Sequence, residues 1–380
     1  MKCEGCNPSS GEFIELQFDR TITRVDPVLG EPAEDAYLAP GFIDLQVNGF
    51  AGADYNSPDT PLDRIAASVS AIHSTGVTRF LPTVITGPPE AMVGALKNLA
   101  QARDELPEAE AIEGFHVEGP HISPDDGPRG AHPRQWVRPP DLEEFHRWQD
   151  AAQGNVRLVT LSPEWPEAAK YIERVTRTGV VVSIGHTKAT SAQIRDAVSA
   201  GATLSTHLGN GAHAILPKHP NYLWDQLAED RLAASFIIDG FHLPESFLRV
   251  ALRAKGIERS VLVTDAVAPA MCEAGEYRLG EVDIELRADG RVTMKGGDRL
   301  AGSALRMDQA IGNVMRAAGV TLAEAVTMAA RNPARVGRIG GRLRGLEPGE
   351  RADLVRFAVE DGRVRVLQTF LSGKLVYSAG

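Results

Sequence analysis

Short apolar runs alternate along this chain with longer amphipathic stretches. Eight of the runs have strand length and are rich in Val, Ile, Leu or Phe, as expected for strands buried on both faces. The predicted strands are Phe42 to Asn48, Arg79 to Thr83, Gly114 to Glu118, Arg157 to Ser162, Val181 to His186, Thr203 to His207, Ser235 to His242 and Val261 to Asp265. The predicted helices between them are Leu62 to Ser74, Pro89 to Arg103, Asp141 to Ala152, Pro166 to Thr178, Ser191 to Ala200, Leu223 to Asp230 and Pro244 to Ala254. This repeat of strand and helix predicts a (β/α)₈ barrel rather than an open sheet.

The two chain ends have a different pattern. Residues 11 to 39 and the tail from about residue 341 alternate apolar with polar positions, as in a half-buried antiparallel sheet. We predict that residues 1–39 and 341–380 form one small β-sandwich domain and that residues 40–340 form the barrel. A β insertion near residues 277–299, with its strands between Tyr277 and Met294, either packs on the same sheet or covers the site. Two helices, Arg306 to Ala318 and Leu322 to Ala330, then complete the barrel, and Asn332-Pro333 ends the second.

Composition narrows the classes of function. A chain of 380 residues with 43% hydrophobic content can bury a large core. Its net charge of −10 and the absence of a basic run argue against a nucleic-acid partner. The sequence contains no apolar segment of about 18 residues and no hydrophobic signal core at its amino terminus, so we expect no membrane association and a cytoplasmic location.

The cysteines do not form a disulfide framework. There are three, Cys3, Cys6 and Cys272, an odd and sparse set. The Cys3-x-x-Cys6 pair lacks the second pair of ligands that a structural zinc site requires, so its role stays open.

The chemistry is expected at the carboxyl ends of the barrel strands, where active sites of this fold lie. Glu118, His186 and His207 end three of the predicted strands. A single buried histidine is more often a core residue than a ligand. Adjacent parallel strand ends lie about 5 Å apart, however, so two imidazoles there can share an ion. With Glu118 they form a set of two histidines and one carboxylate that leaves coordination positions open, which is typical of a catalytic metal site.

Asp265 ends the eighth predicted strand. A buried carboxylate there either holds a neighbouring group or acts as a general base on water, and beside a metal we predict the base. His242, after the seventh strand, and His132, in a loop, are predicted to face the same mouth.

Several segments of the chain resemble those of the N-acetylglucosamine-6-phosphate deacetylase family, in the amidohydrolase superfamily. The resemblance runs in order from about residue 40 to the carboxyl end. The segments are Pro40-Gly41-Phe42-Ile43-Asp44, His116-Val117-Glu118-Gly119-Pro120, Gly130-Ala131-His132, Gly185-His186-Thr187, Thr206-His207-Leu208-x-Asn210, Asp239-Gly240-x-His242, Thr264-Asp265-Ala266, Leu300-Ala301-Gly302-Ser303, Asn332-Pro333-Ala334 and Pro348-Gly349-x-x-Ala352-Asp353-Leu354.

This resemblance implies a cytoplasmic, homodimeric hydrolase that removes acetate from N-acetyl-D-glucosamine 6-phosphate. Glu118, His186 and His207 would hold one divalent ion per subunit, with zinc expected and iron, manganese or cobalt also compatible with the ligands. Asp265 would be the acid/base, and His132 would assist at the carbonyl or the sugar. The implied substrate contacts are Ala131, His132, Asn210, Gly211, Lys218, His242, Leu300, Ala301 and Gly302.

The chain departs from the family pattern in its first barrel strand. Many amidohydrolases place His-x-His there and bind two metals, whereas this chain has Gln46-x-Asn48. An amide is a weaker ligand than imidazole. We therefore predict one tightly bound ion, with Gln46 beside it as a weak ligand or hydrogen-bonded to its ligands.

A second departure concerns the phosphate. Lys218 stands where the family has an Arg that grips the sugar phosphate, and a lysine lacks the bidentate guanidinium fork. Alternative substrates are an unphosphorylated N-acetyl amino sugar, N-acetylgalactosamine 6-phosphate or another small acylamide. A non-catalytic binding protein is disfavoured because it would have no need of all four residues Glu118, His186, His207 and Asp265.

Overall fold

The computed structural model describes residues 1–28, 36–341 and 343–380. In chain order its strands are β1 (Lys2–Cys6), β2 (Phe13–Phe18), β3 (Ile22–Pro27), β4 (Tyr37–Pro40), β5 (Phe42–Val47), β6 (Gly49–Phe50), β7 (Ala53–Asp54), β8 (Val77–Ile85), β9 (Phe115–Glu118), β10 (Val156–Leu161), β11 (Val181–Ile184), β12 (Leu204–Ser205), β13 (Ala233–Phe236), β14 (Ser260–Leu262), β15 (Gly275–Leu279), β16 (Val282–Leu286), β17 (Val292–Met294), β18 (Leu354–Glu360), β19 (Arg363–Leu371) and β20 (Lys374–Ser378).

The helices follow the predicted pattern. They are α1 (Leu62–His73), α2 (Pro89–Glu105), α3 (Leu142–Ala151), α4 (Ala168–Arg177), α5 (Ser191–Ser199), α6 (Tyr222–Ala228), α7 (Glu245–Lys255), α8 (Met307–Ala318), α9 (Leu322–Ala329) and α10 (Arg331–Val336). Short 3₁₀ helices occupy Pro107–Ala111, Arg134–Trp136 and Ile257–Arg259. Within the described ranges, no helix combines the length and apolar character that crossing a bilayer requires.

The predicted (β/α)₈ barrel is confirmed. Eight parallel strands form one sheet in the order β14-β13-β12-β11-β10-β9-β8-β5, and α1 to α7 connect them in sequence. The strand interiors are almost wholly buried, which explains their continuous apolar runs.

Hydrogen bonds between the first and last barrel strands close the sheet. The Asp265 amide donates to the Gln46 carbonyl at 3.0 Å, and the Asn48 amide donates to the Ala266 carbonyl at 2.7 Å. Below them the buried Asp44 carboxylate accepts the Thr264 hydroxyl at 2.6 Å. A side chain therefore supplies part of the link between β5 and β14.

Two predictions at element ends need correction. The seventh strand stops at Phe236 rather than His242, because the Asp239 carboxylate accepts the backbone amides of Phe241 and His242 and bends the chain into a turn. Asn332-Pro333 was expected to end the helix from Leu322, but α9 already ends at Ala329, and Asn332 and Pro333 lie in the separate short helix α10.

Strands from both chain ends form one mixed seven-stranded sheet in the order β20-β19-β18-β4-β1-β2-β3. The Phe18 and Phe370 rings, on strands far apart in this order, have centroids 5.3 Å apart, so the sheet curls over its own apolar face. Its strand β1 includes Cys3 and Cys6, which are free thiols, as is Cys272. The exact division at residues 39/40 and 340/341 stays a prediction.

The insertion forms its own antiparallel sheet, β15-β16-β17, and is separate from the small domain. A turn at Ala288-Asp289-Gly290 links its last two strands, and the Gly290 amide donates to the Arg287 carbonyl. Ile284 of the insertion shares an apolar cluster with Ile85 and Ala301 at the mouth of the barrel. Of the two placements considered from the sequence, the insertion therefore covers the site.

A buried arginine joins the barrel to the small domain. Arg79 on β8 is 4% exposed, and its Nε donates to the fully buried Asp353 carboxylate at 2.8 Å. Its Nη1 donates to Glu113 at 3.2 Å and to the Gly340 carbonyl at 3.1 Å. Gly340 and Asp353 lie in the chain that returns to the small domain, so the guanidinium fixes where β18 meets the barrel.

We expect Arg79→Leu to lower the free energy of unfolding by about 2–4 kcal/mol, because the change removes one of the two arginines that pair with the buried Asp353 carboxylate and leaves Arg351 at 2.9 Å as the other. Urea denaturation followed by circular dichroism measures this loss. The control is Arg177→Gln, which breaks an exposed ion pair with Glu173 and should cost less than about 1 kcal/mol. Equal losses in the two variants would contradict a structural role for Arg79.

Candidate active site

Three side chains converge at the carboxyl ends of barrel strands. The Glu118 carboxylate oxygen Oε1 lies 3.2 Å from His186 Nε2 and 2.9 Å from His207 Nε2, and the two imidazole nitrogens are 3.1 Å apart. All three side chains are buried. Among the described residues, this is the one group of three or more His, Cys, Asp or Glu side chains whose geometry suits a metal ion.

The backbone turns sharply where these groups project. His186, His207 and Asp265 have φ values of 49°, 29° and 51°, in the left-handed region that few non-glycine residues adopt. The sequence pattern predicted that these three residues would end their strands. They lie two or three residues beyond the ends of β11, β12 and β14 instead. The positive φ ends the strand geometry and accounts for the difference. Such strain costs about 1–3 kcal/mol per residue and often marks functional sites.

The donor set fits one divalent ion. Ligand atoms on a tetrahedron with bonds of about 2.1 Å lie about 3.4 Å apart, close to the separations found here. The His186 Nδ1 lies 2.8 Å from the Pro128 carbonyl, which fixes the proton on Nδ1 and leaves the Nε2 lone pair for a metal. His207 Nδ1 has no partner within the described part of the chain. Burial would raise the pKa of Glu118, but hydrogen bonds with His186 and His207 outweigh it and keep the pKa well below its usual value.

Two amides of the first barrel strand donate to the carboxylates. Gln46 Nε2 lies 3.0 Å from both Glu118 Oε2 and Asp265 Oδ1, and Asn48 Nδ2 lies 2.6 Å from Asp265 Oδ1. In this orientation Gln46 presents N–H groups rather than its oxygen, which makes it a positioning donor. The positions that hold two histidines in two-metal enzymes thus hold hydrogen-bond donors here.

Asp265 is buried beside this centre. Burial, and then the negative charge of Glu118, raise the pKa of Asp265 to about 6, while the Asn48 hydrogen bond opposes the shift. Asp265 lies beside the three candidate metal ligands and lines the same cavity, so its carboxylate can exchange a proton with a molecule bound there.

The other two predicted histidines also face the centre. His132 Nδ1 lies 2.8 Å from the Thr86 hydroxyl, and its ring centroid is 4.4 Å from that of His186. Burial, and then the neighbouring His186, lower the pKa of His132 to about 3, so its imidazole is neutral at pH 7. His242 Nδ1 lies 2.7 Å from Asp239 Oδ2, which leaves Nε2 as the free ring nitrogen.

A cavity of about 400 Å³ opens above these groups. Of the predicted substrate contacts, those on its wall are Ala131, His132, Asn210, Gly211, His242, Leu300, Ala301 and Gly302. Lys218 is exposed on a loop and does not line the cavity of its own chain.

The sequence interpretation assigned no role to three residues of this region. Asn48 holds Asp265, Asp239 holds His242, and Arg299 lines the cavity. Asp239 was detectable as the residue three positions before His242. Nothing in the spacing distinguished Arg299 from the other basic residues.

An eight-stranded parallel barrel with a Glu and two His at its strand ends defines the class of barrel hydrolases that use a metal. The chain belongs to the amidohydrolase family, whose model matches residues 37–376. It is 31% identical to the N-acetylglucosamine-6-phosphate deacetylase of Bacillus subtilis, over 97% of this chain and 91% of that protein. It is 34% identical to the N-acetylgalactosamine-6-phosphate deacetylase of Escherichia coli O157:H7, over 94% of this chain and 93% of that protein.

A solved structure has the same architecture. It is a mutant N-acetyl-D-glucosamine-6-phosphate deacetylase from Mycobacterium smegmatis in complex with N-acetyl-D-glucosamine 6-phosphate. The TM-score is 0.89 and the identity 31%, with 100% of this chain and 99% of the other covered.

We expect purified protein to contain about one divalent ion per chain. His207→Ala should contain almost none, because the two remaining ligands bind a divalent ion much more weakly than three. Elemental analysis by mass spectrometry measures the content. His146→Ala, which removes an imidazole from the exposed side of α3, should retain the ion. Full metal content in His207→Ala would place the ion elsewhere.

Proposed function

We propose that this protein removes acetate from N-acetyl-D-glucosamine 6-phosphate to give D-glucosamine 6-phosphate and acetate. The observation that carries the proposal is the convergence of Glu118, His186 and His207 beside Asp265 in one cavity. The similarity to deacetylases of N-acetylhexosamine 6-phosphates over nearly the whole chain supports the substrate class.

In the proposed mechanism Glu118, His186 and His207 hold a divalent ion. When bound, the ion supplies a Lewis acid that polarises the amide carbonyl and acidifies water. Asp265 accepts a proton from the attacking water and returns it to the amine nitrogen as the C–N bond breaks. Gln46 and Asn48 keep the Asp265 carboxylate oriented, since both amides donate to its Oδ1.

The cavity walls would orient the sugar. Neutral His132 can donate or accept one hydrogen bond through Nε2 at the carbonyl or the sugar, because Thr86 engages its Nδ1. His242, fixed by Asp239, offers its Nε2 in the same way. Asn210 and Gly211 line the same cavity and would supply further polar contacts.

A second candidate is the deacetylation of N-acetylgalactosamine 6-phosphate. It is favoured by the 34% identity to an enzyme of that name. The two sugars differ only in the configuration of one hydroxyl, so both would use the same metal centre and the same acid/base.

Finer properties stay predictions. Zinc is the expected ion because a set of nitrogen and oxygen ligands with open positions suits it. A homodimer is also expected. The apolar side chain of Ile215, in the loop that contains Lys218, is 89% exposed and would be available to a second subunit. A cytoplasmic location also stays a prediction.

We expect metal-loaded protein to release acetate from N-acetylglucosamine 6-phosphate with a kcat/KM at least about 100-fold above that for unphosphorylated N-acetylglucosamine, because a charge-assisted phosphate contact contributes that much. Acetate release is measured for both sugars and for N-acetylgalactosamine 6-phosphate in parallel. Activity on none of the three would refute the proposed function, and a preference for the galacto sugar would favour the second candidate.

We expect Asp265→Asn to lower kcat about 10²- to 10⁴-fold while it retains the metal, because an amide cannot accept the proton from water. Single-turnover acetate release, together with metal analysis of the same sample, measures both properties. Asp283→Asn, on the exposed side of the insertion, serves as the control and should keep full activity. Wild-type kcat in metal-loaded Asp265→Asn would remove Asp265 from the mechanism.

A further inference from the structure

A line of buried side-chain hydrogen bonds crosses the barrel interior below the candidate metal centre. It runs across the neighbouring strands β8 to β12, and each of its members is 4% exposed or less. The members of this hydroxyl–imidazole network are Thr83 on β8, His116 on β9, Thr160 on β10, Ser183 on β11 and Thr206 directly after β12. None of these five side chains lines the cavity of the candidate active site.

The network is continuous from one end to the other. His116 Nδ1 lies 3.3 Å from the Thr83 hydroxyl, and His116 Nε2 lies 2.8 Å from the Thr160 hydroxyl. The Thr160 hydroxyl lies 2.8 Å from that of Thr206, which lies 2.6 Å from the Ser183 hydroxyl. Both ring nitrogens of His116 are therefore engaged, and the ring links β8 to the three strands that follow β9.

The hydrogen bonds of the network run in one direction. The Thr83 hydroxyl donates to the Leu81 carbonyl at 3.2 Å, so it accepts from His116 and the ring proton lies on Nδ1. His116 Nε2 then accepts the Thr160 hydroxyl. Because each hydroxyl has one proton, Thr206 donates to Thr160, and the serine at the end of the network donates to Thr206. Bonds aligned in this way polarise one another, so the network is stronger than the same pairs in isolation.

The ligands of the candidate metal centre follow members of the network along the same three segments. Glu118, His186 and His207 come two, three and one residues after a member of the network. His116 and Glu118 lie on one strand, where alternation directs both side chains to the same face of the sheet. Because the network fixes the side chains just below the ligands, it also fixes the spacing of the segments from which the ligands project.

We propose that His116 is a positioning residue for the metal centre. Its ring bonds Thr83 on one side and Thr160 on the other, and it thereby holds the three ligand-bearing segments at the separation that one divalent ion requires. The residue is fully buried below the cavity, so it acts through Glu118 and the network rather than on a substrate. This inference rests on the metal centre of the proposed function.

The affinity for zinc tests the assignment. Metal-stripped protein is titrated with Zn²⁺ in competition with a chromophoric chelator, and the Kd of each variant is compared with that of the wild type. We expect His116→Phe, which fills the ring volume without either hydrogen bond, to raise the Kd about 10- to 100-fold, the usual effect of losing a partner that orients metal ligands. His116→Gln should recover part of this loss, because its amide can both donate and accept.

A matched control separates positioning from the general cost of replacing a buried histidine. His73→Phe makes the same change on α1, where the buried His73 has its Nδ1 3.0 Å from the Val77 carbonyl. It should lower the free energy of unfolding yet leave the Kd for Zn²⁺ within about twofold, because it lies outside the network. Thr160→Val should raise the Kd, and its effect should be less than additive with that of His116→Phe, since both changes break one network.

The outcomes keep this inference distinct from the proposed function. An unchanged Kd in His116→Phe would overturn the assignment, as would an equal rise in His73→Phe, and Thr160→Val decides in the same way if His116→Phe does not fold. Wild-type protein that binds Zn²⁺ but releases no acetate from the sugar phosphates would refute the proposed function and leave the comparison of Kd values valid. Wild-type protein that binds no divalent ion would overturn the positioning role itself.

Discussion

The site depends on the closure of the barrel between β5 and β14. Along most of the sheet, backbone hydrogen bonds between neighbouring strands hold the register. Between β5 and β14, two backbone hydrogen bonds and one hydrogen bond to the Asp44 carboxylate hold the register. The backbone bonds connect the segment of Gln46 and Asn48 with that of Asp265. Gln46 then spans the junction with its side chain and contacts both Glu118 and Asp265. The distance between the metal ligands and the acid/base is therefore set by how the barrel closes.

Hydrogen bonds around the site explain how its strained backbone persists. His186, His207 and Asp265 adopt left-handed backbone conformations, each at a cost of about 1–3 kcal/mol. The surrounding hydrogen bonds leave no relaxed alternative: Pro128 holds His186, Ser235 holds the His207 amide and Asn48 holds Asp265. The buried apolar strands beneath them supply the stability that offsets this cost.

The sequence predicted the barrel well because the physics of a parallel strand is local. A strand covered on both faces must be apolar throughout, and a helix on its surface must be amphipathic, so period and length suffice for Phe42–Val47 or α4. The same reasoning located Glu118, His186 and His207, since strand ends converge. It failed at Ser235 to His242, where an Asp239 turn replaced the end of an apolar run. Hydrogen bonds that form such a turn hardly change the periodicity of hydrophobic and polar residues, so the sequence pattern does not reveal the turn.

Contacts at the cavity mouth could not be predicted by the same route. They depend on where each loop folds relative to the cavity, and the spacing of residues along the sequence does not determine that position. Lys218 occupies the expected position in the chain yet lies outside the cavity of its own chain, whereas Arg299, which is also exposed, lines the cavity where the insertion meets the barrel mouth. The insertion packs on Ile85 and Ala301 with its own apolar face, and its Leu279 lines the same cavity as the three metal ligands. Because the metal ligands and Asp265 are positioned by the barrel strands while a separate sheet, β15-β16-β17, covers the mouth, substitutions in that sheet should change which ligand enters more than they change the position of the reacting groups.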